Sequence, residues 1–568
     1  MKRPMLLLII SVWLISCEEN STAPNNDGGV DGDAISDVQS DADGGVVSCE
    51  EHVFENISIL MADGAELSAF VRRAADDRCA LPTILIQTPY DKENARAIWF
   101  DTLTPGPLFE SRNYNFVVLD WRGFFGSADQ AANDLRPHQG YDGYDAVEWI
   151  AAQPWSNGRV GTWGISALCV VQYLTAQMKP PHLGAMVPIF CSMNNTYEQY
   201  YPGGVLRREY MQFLAAYYGQ NPQTYEAHPY NDMVWNYLGT LYPYSNVEVP
   251  ALVVAGWYDL YNAGSIQDFH GLSSFGASAA KEEHRLLVGP WIHNAMGGET
   301  SMGRPLNEQE LKYVDSSQVA QERSLAFFDF HLRGLGTLPS EPVEYRPDGA
   351  DMYQTSSVWP PSGTAVKSFY LSDGQLTDAS GTGTSAQFLY DPDDPSPTIG
   401  GQTLMGTYEH GPAYQDAVLS RADNVVYVSA PLDEALTLAG PVLVKLRVAT
   451  TGLDTDLAVR LTVVDSGGRH LLIGEGIRRM KLRDGYQAPV AVVPDTPYDV
   501  EVSLVNHHGF VFQPGDRLGL IITSSNYARF DRNPNTGEDF YTDATVPQVV
   551  TNTVYHTQES VVELTILP

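Results

Sequence analysis

Between residues 83 and 289 short apolar runs alternate with stretches of helical spacing, and this pattern restricts the fold more than any other feature of the chain. The runs lie at residues 83–87, 115–120, 159–164, 183–190, 251–255 and 285–289. Apolar residues stand on consecutive positions there, so both faces of each run must be covered. Residues 144–152, 167–178 and 306–332 carry their apolar side chains at helical intervals and supply the cover. Buried strands alternating with amphipathic helices predict an α/β fold around a parallel sheet. With 43% hydrophobic residues the chain has enough apolar mass for large cores, so wholesale disorder is excluded.

A parallel sheet collects reactive residues where its strands end. The run at 159–164 leads into Ile165-Ser166-Ala167 and a helix; that at 251–255 leads into Gly256-Trp257-Tyr258-Asp259; that at 285–289 leads into Pro290-Trp291-Ile292-His293. Ser, then Asp, then His is the chain order of the α/β-hydrolase triad. A serine hydroxyl is a weak nucleophile until a base takes its proton, and a histidine can do so near neutral pH. An aspartate on the other ring nitrogen holds the tautomer and stabilises the imidazolium. Gly164 allows a tight turn before Ser166, and the helix after it directs peptide N–H groups at a developing oxyanion. Leu168 stands where Gly-x-Ser-x-Gly has its second glycine.

Five segments recur in a telling order: Thr88-Pro89-Tyr90-Asp91-Lys92, Asp120-Trp121-Arg122-Gly123, Gly164-Ile165-Ser166-Ala167-Leu168-Cys169, Gly256-Trp257-Tyr258-Asp259 and Gly289-Pro290-Trp291-Ile292-His293. With Tyr390-Asp391-Pro392 and the stretch 524–534, they resemble the serine hydrolases that group X-Pro dipeptidyl-peptidases with cocaine esterase, α-amino-acid ester hydrolases and glutaryl acylases. The resemblance spans nearly the whole chain after about residue 50. It implies Ser166 as nucleophile, Asp259 as orienting acid and His293 as base. It further implies an oxyanion hole made by the Tyr90 hydroxyl and the backbone N–H of Ala167. The family pattern has Tyr at the place of Ala167 and Gly at that of Cys169.

Residues 192–246 interrupt the alternation and are crowded with aromatics, from Tyr197, Tyr200 and Tyr201 to Trp235 and Tyr237. They resemble the family's helical cap, which offers an apolar pocket and excludes water. From about residue 341 the pattern changes to short β-branched runs separated by Gly, Asp and Pro. This predicts an antiparallel β-sandwich, and the resemblance implies a jelly roll. The expected organisation is therefore a hydrolase domain at 49–340, with its cap at about 192–246, followed by a sandwich at 341–568. His507 and His508, lacking ligand-like spacing to other donors, read as surface residues. No HExxH, phosphate loop or dinucleotide fingerprint occurs, so no metal or other cofactor is expected.

The first residues have another purpose. Lys2 and Arg3 precede the apolar run 5–15, which ends in Leu14-Ile15-Ser16-Cys17. A basic segment and a short apolar run make an export signal, and the last four residues resemble a bacterial lipobox. Residues 1–17 are thus expected to be a lipoprotein signal whose Cys17 is lipidated, anchoring an exported protein to the cell-envelope membrane. Residues 18–48 hold no aromatic and many Asp, Gly and Ser residues, the composition of a flexible tether. In an oxidising compartment the other four cysteines can pair. Cys49 with Cys79 would close a loop of about thirty residues, stabilising by roughly 3–4 kcal/mol; Cys169 with Cys191 is the complementary pair, two buried thiols the alternative.

Thirty-four Lys and Arg against 69 Asp and Glu leave a charge of −35, which argues against nucleic acid as a partner. The expected substrates are esters, amides or short peptides, cleaved through an acyl-serine. An X-Pro dipeptidyl-peptidase must also hold a free ammonium, for which Glu198, Glu209, Glu226 and Asp232 in the cap are candidates. The alternatives are a carboxylesterase, favoured if the cap pocket lacks acids, or an acylase of the same family. The reading from outside catalysis is a surface lipoprotein that binds glycans or partners through its sandwich. Oligomeric state is not encoded in any motif.

Overall fold

The consecutive apolar runs become the centre of a ten-stranded sheet. The computed structural model describes residues 39–40, 46–47 and 49–568, apart from 103–104, 132–137, 195, 279, 294–299, 302–303, 380 and 505. The expected signal, Cys17 and nearly all of the tether lie outside the described residues. Strands β1 (His52–Leu60), β2 (Glu66–Ala74), β3 (Leu81–Thr88), β4 (Asn115–Asp120), β5 (Ser156–Ile165), β6 (Leu183–Ile189), β7 (Leu252–Tyr258), β8 (Arg285–Ile292), β9 (Val343–Tyr345) and β10 (Gln354–Ser356) form it. Their spatial order is β1-β2-β4-β3-β5-β6-β7-β8-β9-β10, parallel from β4 to β9 and antiparallel at both edges. Every residue of β4 and β7 is buried, whereas the edge strand β1 exposes much of its length, as two-sided cover in the middle requires. Helices α1 (Lys92–Trp99), α2 (His138–Ala151), α3 (Ala167–Gln177), α4 (Arg208–Tyr218), α5 (Asn262–Phe275) and α6 (Ser316–Phe328) are the longer of the helices in this half. This is the α/β-hydrolase architecture, and α4 belongs to the cap.

The sheet does not stop at residue 340. β9 lies parallel to β8, β10 closes that edge, and Trp359 packs into the same core. From Ala365 to Leu567 twelve strands follow, paired antiparallel except for Gln375–Thr377 with Val425–Ser429. They enclose a second apolar core that includes Leu438, Val444, Val459, Leu461, Val502 and Leu520, the C-terminal β-sandwich.

Two expectations are corrected here. His507 and His508 are not surface residues: His508 is 1% exposed, and His507 is half-buried and accepts a hydrogen bond from Trp359 Nε1 at 2.9 Å. Strand His508–Phe512 pairs with the long strand Leu436–Thr450 and carries His508 inward. Burial lowers the two rings to about 4 and about 3 respectively, so both are neutral at pH 7.

Candidate active site

β5 ends at Ile165 and α3 begins at Ala167, so Ser166 alone makes the turn. It adopts φ 58° and ψ −118°, a conformation that costs a non-glycine residue on the order of 1–3 kcal/mol. Backbone hydrogen bonds hold it there. Its N–H donates to Ile189 O at 2.9 Å, and its carbonyl accepts from the N–H groups of Cys169 and Val170. A Cβ on Gly164 would stand 2.5 Å from that of Leu168. Leu168 therefore fits this elbow because Gly164 leaves the space that its side chain fills.

The acid and base meet through sheet register. β7 and β8 are parallel neighbours with Tyr258 opposite Ile292, so Asp259 and His293 emerge side by side. His293 Nδ1 lies 2.5 Å from Asp259 Oδ2, and its Nε2 lies 3.0 Å from Ser166 Oγ. Asp259 is fully buried and His293 is 6% exposed. The second carboxylate oxygen accepts the Tyr261 N–H at 2.7 Å, and the Asp259 carbonyl accepts from Asn506 Nδ2 at 2.9 Å. A hydroxyl, an imidazole and a carboxylate thus form one chain of hydrogen bonds that can move a proton off oxygen.

Tyr90 follows β3. The residue is 40% exposed, and its hydroxyl lies 2.5 Å from the Tyr218 hydroxyl of α4, with Ser166 nearby. Burial raises its phenol, and the neighbouring Tyr218 and Ser166 hydroxyls offset part of the rise. The loop that carries it is braced by β4: Trp121 N–H donates to Thr88 O, and Asp120 accepts the Lys92 and Gly126 N–H groups. Burial pushes the Asp120 carboxyl up to about 6. Ala167 supplies the first N–H of α3, which the helix itself leaves without an acceptor.

Three of the four cap acids are engaged elsewhere, and the fourth lines a separate cavity. Glu209 is 1% exposed and accepts the N–H groups of Leu404 and Met405, tying cap to sandwich. Glu226 faces Arg208 at 3.4 Å. Asp232 accepts the Val234 N–H at a helix start and lies 2.6 Å from His228. Glu198 and Tyr486 line a cavity of about 400 Å³ between cap and sandwich, together with Arg207, Leu260, Tyr261 and Asn506 among others. That cavity lies behind the acid turn; Ser166 and His293 do not line it. Most of the cap aromatics, including Tyr197, Tyr200, Tyr201, Phe213, Tyr225 and Trp235, form the cap's own core. Among the described residues no group of three His, Cys, Asp or Glu side chains is placed to hold a metal ion.

Both cysteine pairs are bridged, with Cα–Cα distances of 5.7 Å for Cys49–Cys79 and 6.0 Å for Cys169–Cys191. The second ties the first turn of α3 to the segment after β6. Three supporting side chains carry no short-range signal. Gln172, 1% exposed, donates to Gly164 O and Val187 O and accepts from Val187 N–H and Thr162 Oγ1, binding α3 to β5 and β6. Asp268 accepts the Met193 N–H and the Tyr244 hydroxyl, at the two ends of the cap. Asn506 reaches Asp259 from 247 residues away. Only the tertiary fold pairs them with their partners.

Comparison with known proteins agrees with this geometry. Residues 63–224 and 209–295 match the family described as X-Pro dipeptidyl-peptidase (S15 family), and residues 338–563 match the X-Pro dipeptidyl-peptidase C-terminal non-catalytic domain. The chain is 28% identical to cocaine esterase of a Rhodococcus species, over 85% of this chain and 93% of that one. An aminopeptidase from a marine sediment Thaumarchaeota archaeon superposes with a TM-score of 0.76 at 21% identity, covering 92% of this chain and 97% of its own. An α-amino acid ester hydrolase gives a TM-score of 0.74 at 20% identity, covering 91% and 97%. The ordered site, the two-domain match and the full-length likeness together place this chain in the X-Pro dipeptidyl-peptidase and cocaine-esterase-like family of serine hydrolases.

Proposed function

We propose that this serine hydrolase cleaves esters through an acyl-Ser166 intermediate, with His293 as base and Asp259 as its orienting acid. The carrying observation is the unbroken Ser166–His293–Asp259 hydrogen-bond chain, 3.0 and 2.5 Å long. Ser166 Oγ attacks the substrate carbonyl carbon as its proton passes to His293 Nε2. The oxygen that becomes negative is met by the Tyr90 hydroxyl and the Ala167 N–H. His293 then returns the proton to the departing alcohol, the bond to it breaks, and water repeats the sequence on the acyl-enzyme.

Esters without a free ammonium are preferred in this reading because Glu209, Glu226 and Asp232 are occupied by other partners and Glu198 lines a cavity that Ser166 and His293 do not. A buried, unmatched ammonium is expensive, so amino-terminal peptide substrates lack a counter-charge from the cap. The likeness to cocaine esterase supports the same preference. A fluorophosphonate probe should label the protein and fail to label Ser166→Ala. Aryl esters of neutral acids should turn over faster than X-Pro-anilides. No labelling of folded protein would exclude the mechanism, and faster X-Pro-anilide cleavage would exclude the ester preference.

The protein is further proposed to be exported and anchored by a lipid on Cys17, supported by the basic and apolar segment before it and by four bridged cysteines. Metabolic labelling with a radioactive fatty acid should mark the wild type but not Cys17→Ala; equal labelling would overturn the anchor.

A further inference from the structure

Tyr90 has a single phenolic proton and two hydroxyl neighbours, Tyr218 at 2.5 Å and Ser166. Across the tyrosine pair either oxygen is able to donate, but the rest of the site removes the ambiguity. His293 Nδ1 faces the Asp259 carboxylate, so the neutral ring carries its proton there and Nε2 is an acceptor. The Ser166 proton therefore goes to Nε2. As the oxyanion donor proposed above, Tyr90 must direct its own proton into the reaction site. With its proton so placed, the Tyr90 oxygen meets Tyr218 only as an acceptor, and Tyr218 is the donor. Protons then point from Tyr218 to Tyr90 and from Ser166 to His293.

We propose that Tyr218 is a positioning residue: by donating to Tyr90 it turns the Tyr90 O–H towards the reacting oxygen, so the oxyanion site is complete only while cap helix α4 is seated. The proposal rests on Ser166 as nucleophile and Tyr90 as oxyanion donor. When Ser166 attacks, the Tyr90 proton so directed meets the new oxyanion. Tyr218 keeps supplying the Tyr90 oxygen, and a hydrogen bond received strengthens one given. Tyr218 is 8% exposed in the last turn of α4, and its hydroxyl has no other hydrogen-bond partner among the described residues. Its phenol is held well above the usual range, by burial first and then by Tyr90, which keeps it protonated as a donor. In the sequence Tyr218 is one of many cap aromatics; its contact with Tyr90 separates it from them.

The test is a double-mutant cycle on Tyr90→Phe, Tyr218→Phe and the pair, using an activated aryl ester. Rates are referred to the burst-titrated active-site concentration, so partly misfolded protein does not count. Tyr218→Phe should lower kcat about five- to twentyfold with KM nearly unchanged, as expected for one hydrogen bond that matters mainly in the transition state. In the Tyr90→Phe background the same change should have no further effect. Equal slowing in both backgrounds, or unchanged kcat in Tyr218→Phe while Tyr90→Phe is slow, would overturn the positioning role and leave the nucleophile reading intact. Unimpaired Tyr90→Phe would remove the oxyanion reading itself, and the proposal with it.

Discussion

At the scale of single residues the site depends on polar side chains that the fold has dried. Gln172 shows this best. Its amide bonds both the turn before Ser166 and the strand beside it, so it holds the strained serine without touching a reactant. Replacing it with Leu keeps the volume but abandons the Gly164 and Val187 carbonyls and the Val187 N–H. Gln172→Leu should lose roughly 1–3 kcal/mol of stability in urea unfolding, the penalty for leaving buried polar groups unpaired. A stability equal to wild type would mean that water replaces the amide. Nothing around position 172 in the chain marks it. A glutamine in a helix reads as a solvated side chain until the fold shows that it is 1% exposed. Ser166, Asp259 and His293 were legible because their roles follow from position: each stands just past a strand, and sheet register does the rest.

At the scale of elements, α5 ties the cap to the body. The cap leaves the sheet near Met193 and returns near Tyr244, and Asp268 of α5 holds both points. Complete burial pushes its carboxyl up from 3.8 to about 7. Because the folded value lies above the unfolded one, folding favours the protonated form. The contribution is fully present below about pH 4 and is lost as pH rises through about 7. The loss approaches about 1.4 kcal/mol per pH unit within that window. Asp268→Asn cannot titrate, so the stability difference between variant and wild type should move in the variant's favour between pH 5 and pH 8. Parallel urea-unfolding curves at the two pH values would show that Asp268 does not titrate in this range. The runs at 183–190 and 251–255 announced the strands flanking the cap, but long-range partners of a buried carboxylate leave no periodic trace.

At the scale of the whole molecule the sandwich supports the reacting half. Asn506 donates to the Asp259 carbonyl and accepts the Ala263 N–H, and the His507 N–H donates to Asn262. The acid turn is thus braced by a domain whose own family description is non-catalytic. Asn506→Ala should lower kcat about tenfold, the order expected when positioning of a charged group loses one buried hydrogen bond, with KM nearly unchanged. Undiminished kcat would show that the turn stands by its own Asp259–Tyr261 contact.

The α/β class, the sandwich after it and the order of the three reactive residues were determined by the sequence alone, because hydrophobic period and strand-end position are local properties. Two strands beyond residue 340 escaped notice: β9 and β10 have three residues each, too few for a period to show. The tertiary structure decided everything that depends on separation in space. It turned Glu209 into the cap–sandwich seam, buried His508, bridged Cys169 to Cys191, and brought Asn506 and Tyr218 to the active site. Such contacts join residues far apart along the chain, where burial and hydrogen-bond geometry, not pattern, select the partner.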